Sequence, residues 1–184
     1  MKRLNALSPD QASGKTKELF NAINSKLGVV PNMMRTMGNS PALLEGYLNL
    51  SGALGGGKLG GKTGELIALV VAETNSCNYC LSAHSFLGAN VAKLDAETME
   101  AARTGNSKDA KTAAILKFAQ TLVEKRGLVS DDDVAAVRAA GVTEGEVGEV
   151  VGHVALNILT NYFNNTANTE IDFPVVKAHQ VAAV

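Results

Sequence analysis

ELIALVVAETNSCNYCLSAH, residues 65–84, holds both cysteines of the chain, one of its three histidines and a glutamate at the head of an apolar run. The run LIALVVA alone does not distinguish a buried helix from a buried strand. Its polar markers, Glu65 and Glu73, and the helical patterns on either side decide for a helix. Asn75-Ser76 then reads as a break and a fresh start, with a second helix from about Cys77 to Asn90. On that helix Cys77 and Cys80 are three apart, and His84 lies one turn beyond Cys80 on the same face. Two thiols and an imidazole so stacked can do redox chemistry with no bound cofactor and no metal. That is the pattern expected of a thiol-dependent peroxidase.

Working outward, the flanks are helical as well. A helix is expected over 8–28, opened by Ser8-Pro9-Asp10 and closed by Gly28, with Leu19, Phe20, Ile23 and Leu27 at helical spacing. Met33 to Met37 reads as a short helical turn, and Ser40-Pro41 opens a helix to about Leu54. Asp95-Ala96-Glu97 starts a short one to about Arg103, and Thr112 to Arg126 is strongly helical. Ser130 with Asp133, and Thr143 with Glu146, have capping-box spacing. The second box opens a long apolar helix through Phe163. The tail from Asn164 reads as irregular and polar, with Ile171-Asp172-Phe173-Pro174 docking before a loose end. A shift of 81 residues lays Gly64-Glu65 on Gly145-Glu146 and sets Cys80 and His84 against Asn161 and Asn165. This echo leaves room for an internal helical duplication whose second copy lacks thiols.

Composition narrows the class. At 184 residues the chain fits one domain, 1–184, with the redox motif at 65–84. Apolar residues are 46%, charged residues 19% and aromatics 4% with no Trp, which favours close-packed helices over a β-sandwich. A net charge of −1 gives no basic field for nucleic acid, so none is expected as a partner. The longest apolar run, Leu66 to Ala72, is too short to cross a bilayer, and no membrane partner is expected. MKRLNALSPDQAS lacks the apolar segment of a signal peptide, so the expected location is cytoplasmic. There a C-x-x-C pair points to redox or metal chemistry rather than a structural staple.

Residues 55–64, GGGKLGGKTG, contain a formal phosphate-loop match in Gly56, Gly61, Lys62 and Thr63. That architecture needs a buried strand before the loop. EGYLNLSGAL is helical instead, so the stretch reads as a turn leading into the next helix.

The chemistry of the central stretch follows from its position. A helix N-terminus and a nearby cation lower a thiol's pKa, and both cysteines fall at the start of their helix. His84 can take the Cys80 proton, and Glu65, on the preceding helix, can support His84 if the break folds the two helices together. Other readings stay open. The two thiols and His84 supply three ligands where a closed zinc site wants four; His153 or His179 would have to complete it. Haem attachment needs His where Leu81 stands. Buried inert thiols, or a redox sensor that oxidises once and alters a partner, are further alternatives. His153, inside an apolar helix, reads as a core histidine, and Met33, Met34 and Met37 as core or interface packing.

Glu65, twelve positions to Cys77, C-x-x-C, and His84 four beyond Cys80 resemble the alkylhydroperoxidase D-like branch of the carboxymuconolactone decarboxylase family. LGVVPNMMRTMGNSPALLEGY and NYFNNTANTEIDFP resemble the family's N-terminal segment and the end of its longer, peroxidase-related members. The resemblance implies an all-α fold of packed helical hairpins and a homo-oligomer, a trimer or hexamer. It implies hydroperoxide as substrate and an external dithiol as reductant, with Cys80 attacking, Cys77 resolving, and Glu65 and His84 as proton relay. The decarboxylase branch lacks the thiol pair, which makes a lactone decarboxylase the weaker family reading. The best-studied type carries a second histidine next to the second cysteine, where this chain has Tyr79. A phenol is a poorer base, so the activity or its reductant is expected to differ.

Overall fold

A computed structural model describes residues 2–179. Among the described residues the chain is built of helices and turns, with no strand. A 3-10 turn, Pro9–Gln11, precedes α1 (Gly14–Leu27). The expected single helix from Ser8 is divided because Ala12 is extended and Gly14 takes a φ of +50°, turning the chain before the helix starts. Gly28 ends α1 in the left-handed region, where a side chain would be strained. Short α2 (Asn32–Met37) and α3 (Pro41–Gly55) follow, the latter capped by Ser40.

Next are α4 (Gly60–Thr74) and α5 (Asn78–Asn90), then α6 (Ala96–Arg103) and α7 (Ala110–Glu124), whose first turns are capped by Asp95 and Asp109. Both predicted capping boxes form, Ser130–Asp133 opening α8 (Asp131–Ala139) and Thr143–Glu146 opening α9 (Glu144–Ala167). Helix α9 runs past Phe163 to Ala167, so Asn164, expected in an irregular tail, is helical and buried.

Helix α4 is the axis of the molecule, packed against α5, α6, α7 and α9. Every residue from Leu66 to Ala72 is buried, which is why the run shows no polar face. Full burial of a large aliphatic side chain contributes about 1.5–3 kcal/mol, so this helix anchors the core. One side of α4 (Ile67, Val70, Val71) packs on α7 and α9, in a cluster that α8 joins through α7. The other (Leu69, Ala72) packs with Cys77, Tyr79, Cys80 and Leu81, and with Phe20, Ile23, Met33, Met37 and Leu44 from the first three helices. The redox stretch therefore lies inside the fold. No helix among the described residues is long and apolar enough to cross a membrane.

The glycine-rich loop binds an acid of its own chain. The Lys58 and Leu59 N–H groups donate to the two carboxylate oxygens of Glu149, each at 3.0 Å. A Cβ on Gly57 would lie 2.6 Å from Glu149 Oε2, so the glycine is required by that approach. The loop joins helix to helix, without the strand that a phosphate loop needs, and Gly61, Lys62 and Thr63 lie in the first turn of α4.

Candidate functional site

The site begins with the break between α4 and α5. Ser76 takes a φ of +51°, reversing the chain after Asn75. Cys77 is extended and serves as the N-cap of α5; its sulfur accepts the Cys80 N–H at 3.4 Å, a position more often filled by a hydroxyl or carboxylate oxygen. Capping thus brings the two thiols together over the helix N-terminus. Both cysteines are free and buried, Cys77 fully and Cys80 at 2% exposure.

The reversal also lays α5 back along α4. His84 Nδ1 and Glu65 Oε2 meet at 2.8 Å, with both side chains 23% exposed. Burial opposes the charged imidazole, but the Glu65 carboxylate, its hydrogen bond and Cys80 outweigh it and raise the His84 pKa.

The two thiols are driven apart. Cys80 is lowered to about 6, first by a hydrogen bond from the Cys77 thiol, against the cost of burial, then by the charge of His84 and by the amides of Asn164 and Asn161. Cys77 is pushed up, by that same hydrogen bond, by burial and by the neighbouring Cys80 charge. One sulfur is disposed to be a thiolate and the other a thiol donating to it.

Sequence reasoning missed the wall facing Cys80. Asn164 Nδ2 donates to Cys80 Sγ at 3.3 Å, and Thr160 Oγ1 lies 4.0 Å from the same sulfur. The available signal was the spacing of polar residues 153, 157, 160, 161 and 164 along one face of an apolar helix. Tyr47, on α3, is raised to about 12 by burial first, then by the Cys80 and Glu65 charges. The 81-residue echo pairs Cys80 with Asn161, and the two converge on this one site.

Tyr79 does not stand in for a base at the thiols. Its hydroxyl donates to Asp172 Oδ1 at 2.9 Å and accepts the Met33 N–H at 3.0 Å. Its ring packs edge-on against Phe173. These contacts belong to the docked segment 170–179, which crosses the back of α5. There Ser82 Oγ accepts the Val176 N–H at 2.9 Å and Asn78 Oδ1 accepts the Ala178 N–H at 2.9 Å. Glu73 pairs with Arg103 Nε at 2.7 Å and accepts the His179 N–H. His153 is a core residue, held low in pKa by burial and packed against Gly64. Among the described residues no group of three or more His, Cys, Asp or Glu side chains is arranged to hold a metal ion.

Comparison with known proteins agrees with this architecture. Residues 41–124, which carry the whole dithiol motif, match the model of the carboxymuconolactone decarboxylase family. No protein of curated description matches the chain. Among solved structures, a peroxidase-related protein described as an alkylhydroperoxidase AhpD core, from Ralstonia eutropha JMP134, superposes with a TM-score of 0.83 at 20% identity, covering 93% of this chain and 92% of its own. A peroxidase-related protein from Silicibacter sp. TM1040 gives 0.78 at 22% identity, over 92% of each chain. A cysteine-to-alanine variant of the debrominase Bmp8, in complex with 2,3,4-tribromopyrrole, gives 0.78 at 19% identity, over 94% of this chain and 92% of its own. The matched segment is thus similar to the carboxymuconolactone decarboxylase family, and the chain as a whole has the all-helical architecture of the alkylhydroperoxidase AhpD core.

Proposed function

We propose that the protein is a thiol-dependent peroxidase that reduces hydroperoxides through the Cys77–Cys80 pair. The observation that carries this reading is geometric: the N-capping Cys77 sulfur accepts the Cys80 N–H at 3.4 Å, Asn164 donates to the Cys80 sulfur at 3.3 Å, and His84 on the same helix meets Glu65 at 2.8 Å.

His84 takes the Cys80 proton, and Glu65 stabilises the imidazolium. The Cys80 thiolate attacks the terminal oxygen of the hydroperoxide. The S–O bond forms as the O–O bond breaks, and the departing alkoxide takes the proton from His84, leaving a sulfenic acid and an alcohol. The Cys77 sulfur then attacks Cys80, losing its proton as hydroxide leaves to give water and a disulfide. An external dithiol restores both thiols by exchange, becoming a disulfide itself. The extended Cys77 supports the closing step, since it leaves the first sulfur outside the rigid helix.

Trapping tests the assignment. In Cys77→Ser, one equivalent of hydroperoxide should add a single oxygen to Cys80, read by mass spectrometry. Oxygen on Cys77 in the Cys80→Ser protein, with Cys80 inert in the other variant, would reverse the roles. A brominated pyrrole belongs in the same substrate panel, because the debrominase shares the fold and a dithiol can supply two electrons to either bond. Turnover of that compound without hydroperoxide turnover would reassign the substrate.

A homo-oligomer is part of the same proposal. Met33 and Met37 are consumed by the chain's own core, which removes them from the expected interface. The outer face of α9 stays apolar and open at Val151, Leu159 and Tyr162. Exposed patches of this kind mark contact surfaces.

A further inference from the structure

His153, Asn157, Thr160, Asn161 and Asn164 form a row of polar side chains on the inward face of α9, all buried. A buried amide or imidazole left without partners costs about 1–3 kcal/mol, so an ordinary packing face would carry aliphatic residues here. The lower half of the row meets the redox turn. Asn164 Nδ2 reaches Cys80 Sγ at 3.3 Å. Asn161 Oδ1 accepts the Asn75 side-chain amide at 3.0 Å, and the neighbouring Asn165 Nδ2 donates to the Asn75 carbonyl at 3.1 Å. Asn75 ends α4, two residues before Cys77. Helix α9 thus grips the dithiol unit twice, once at the sulfur and once at the turn that presents the other thiol. Asn161 Nδ2 is buried with no acceptor at hydrogen-bonding geometry among the described residues, and its amide faces the Cys80 sulfur.

We propose that Asn164 is a catalytic residue of the dithiol site, its side-chain N–H holding the Cys80 sulfur as an anion, and that Asn161 and Asn165 are positioning residues that fix Asn75 and hence Cys77. This rests on the dithiol reading above. Hydrogen bonds to a charged acceptor are roughly twice as strong as neutral ones, so a donor set here favours thiolate over thiol. The titratable groups around Cys80 are Cys77 across the turn, Tyr79 and His84 on α5, Glu65 on α4 and Tyr47 on α3. Helix α9 adds side-chain amides at this point, the Thr160 hydroxyl donating instead to the Asn157 carbonyl. It stabilises the anion without supplying a counter-charge that would itself titrate.

The test is the pH profile of Cys80 alkylation by iodoacetamide in wild type, Asn164→Ala and Asn164→Asp. Loss of the donor should move the midpoint up by about one unit, roughly a tenfold slower reaction below the midpoint. The isosteric Asp variant, which faces the sulfur with a carboxylate, should move it further. An unchanged midpoint in the folded variants overturns the proposal. If both variants fail to fold, the wild-type protein decides. The Asn164 side-chain amide resonance must shift with the Cys80 titration and cease to do so in Cys80→Ser, and a flat resonance overturns it. A midpoint that responds in a protein that consumes no hydroperoxide would leave the Asn164 assignment standing and remove the peroxidase reading instead.

Discussion

Glu65 Oε2 and His84 Nδ1 lie 2.8 Å apart although 19 residues separate them, because the left-handed turn at Ser76 folds α5 against α4. The carboxylate holds one imidazole nitrogen, and the proposed relay uses the other to exchange protons at the sulfur. Glu65→Gln keeps the shape and removes the charge that favours the imidazolium. Peroxide turnover at neutral pH should fall roughly 10²- to 10⁴-fold, the usual share of general acid–base catalysis, with an unchanged circular dichroism spectrum. Unaltered turnover would take Glu65 out of the mechanism.

The thiol pair sets a pH dependence whose sign is determined. The Cys80 pKa is lowered to about 6, against about 8.5 for a free thiol. Alkylation of Cys80 should therefore rise through pH 6 and level off above it, rather than rising through the ordinary thiol range. For stability, a lowered folded pKa means that the thiolate's contribution is fully present above the unfolded value and is lost as pH falls through the folded one. An alkylation profile centred on the ordinary thiol value would refute the opposed state of the two sulfurs.

Tyr79 gives a prediction that separates anchoring from catalysis. Tyr79→Phe removes the acceptor of the buried Met33 N–H and the donor to Asp172. Urea unfolding should show a loss of about 1–3 kcal/mol, the cost of leaving a buried donor unpaired. The Cys80 alkylation midpoint should stay where it is. A shift in that midpoint with stability unchanged would return Tyr79 to the chemistry.

The apolar outer face of α9 makes the assembly testable. Light scattering at micromolar concentration should find more than one chain per particle, and Tyr162→Glu, on the exposed face, should shift the population toward monomer. A wild-type monomer under these conditions removes the oligomer from the account.

Much of this architecture was legible in the sequence because local chemistry and fold agree. The two capping boxes, the break at Asn75-Ser76 and the run from Leu66 to Ala72 each specify the structure they form. The spacing of Glu65, Cys77, Cys80 and His84 identified four side chains that share one site. What stayed hidden depends on contacts distant in sequence. Asn164 bonds a sulfur 84 residues away, and Tyr79 bonds an aspartate 93 residues away, so no local pattern states either contact. The end of α9 was misread because Asn-Asn-Thr suits a loop by propensity. The burial of Asn164 and Ala167 against the fold extends the helix through it.

The central claim is that Cys80 reduces hydroperoxide and is regenerated through Cys77. Its most direct test is hydroperoxide consumption by the wild-type protein with a dithiol in excess, alongside Cys80→Ser. Wild type should consume many equivalents of hydroperoxide per chain while the dithiol is oxidised one for one, and Cys80→Ser should consume none. A wild-type protein that stops after a single equivalent with dithiol remaining, or a Cys80→Ser protein that keeps turning over, would contradict it.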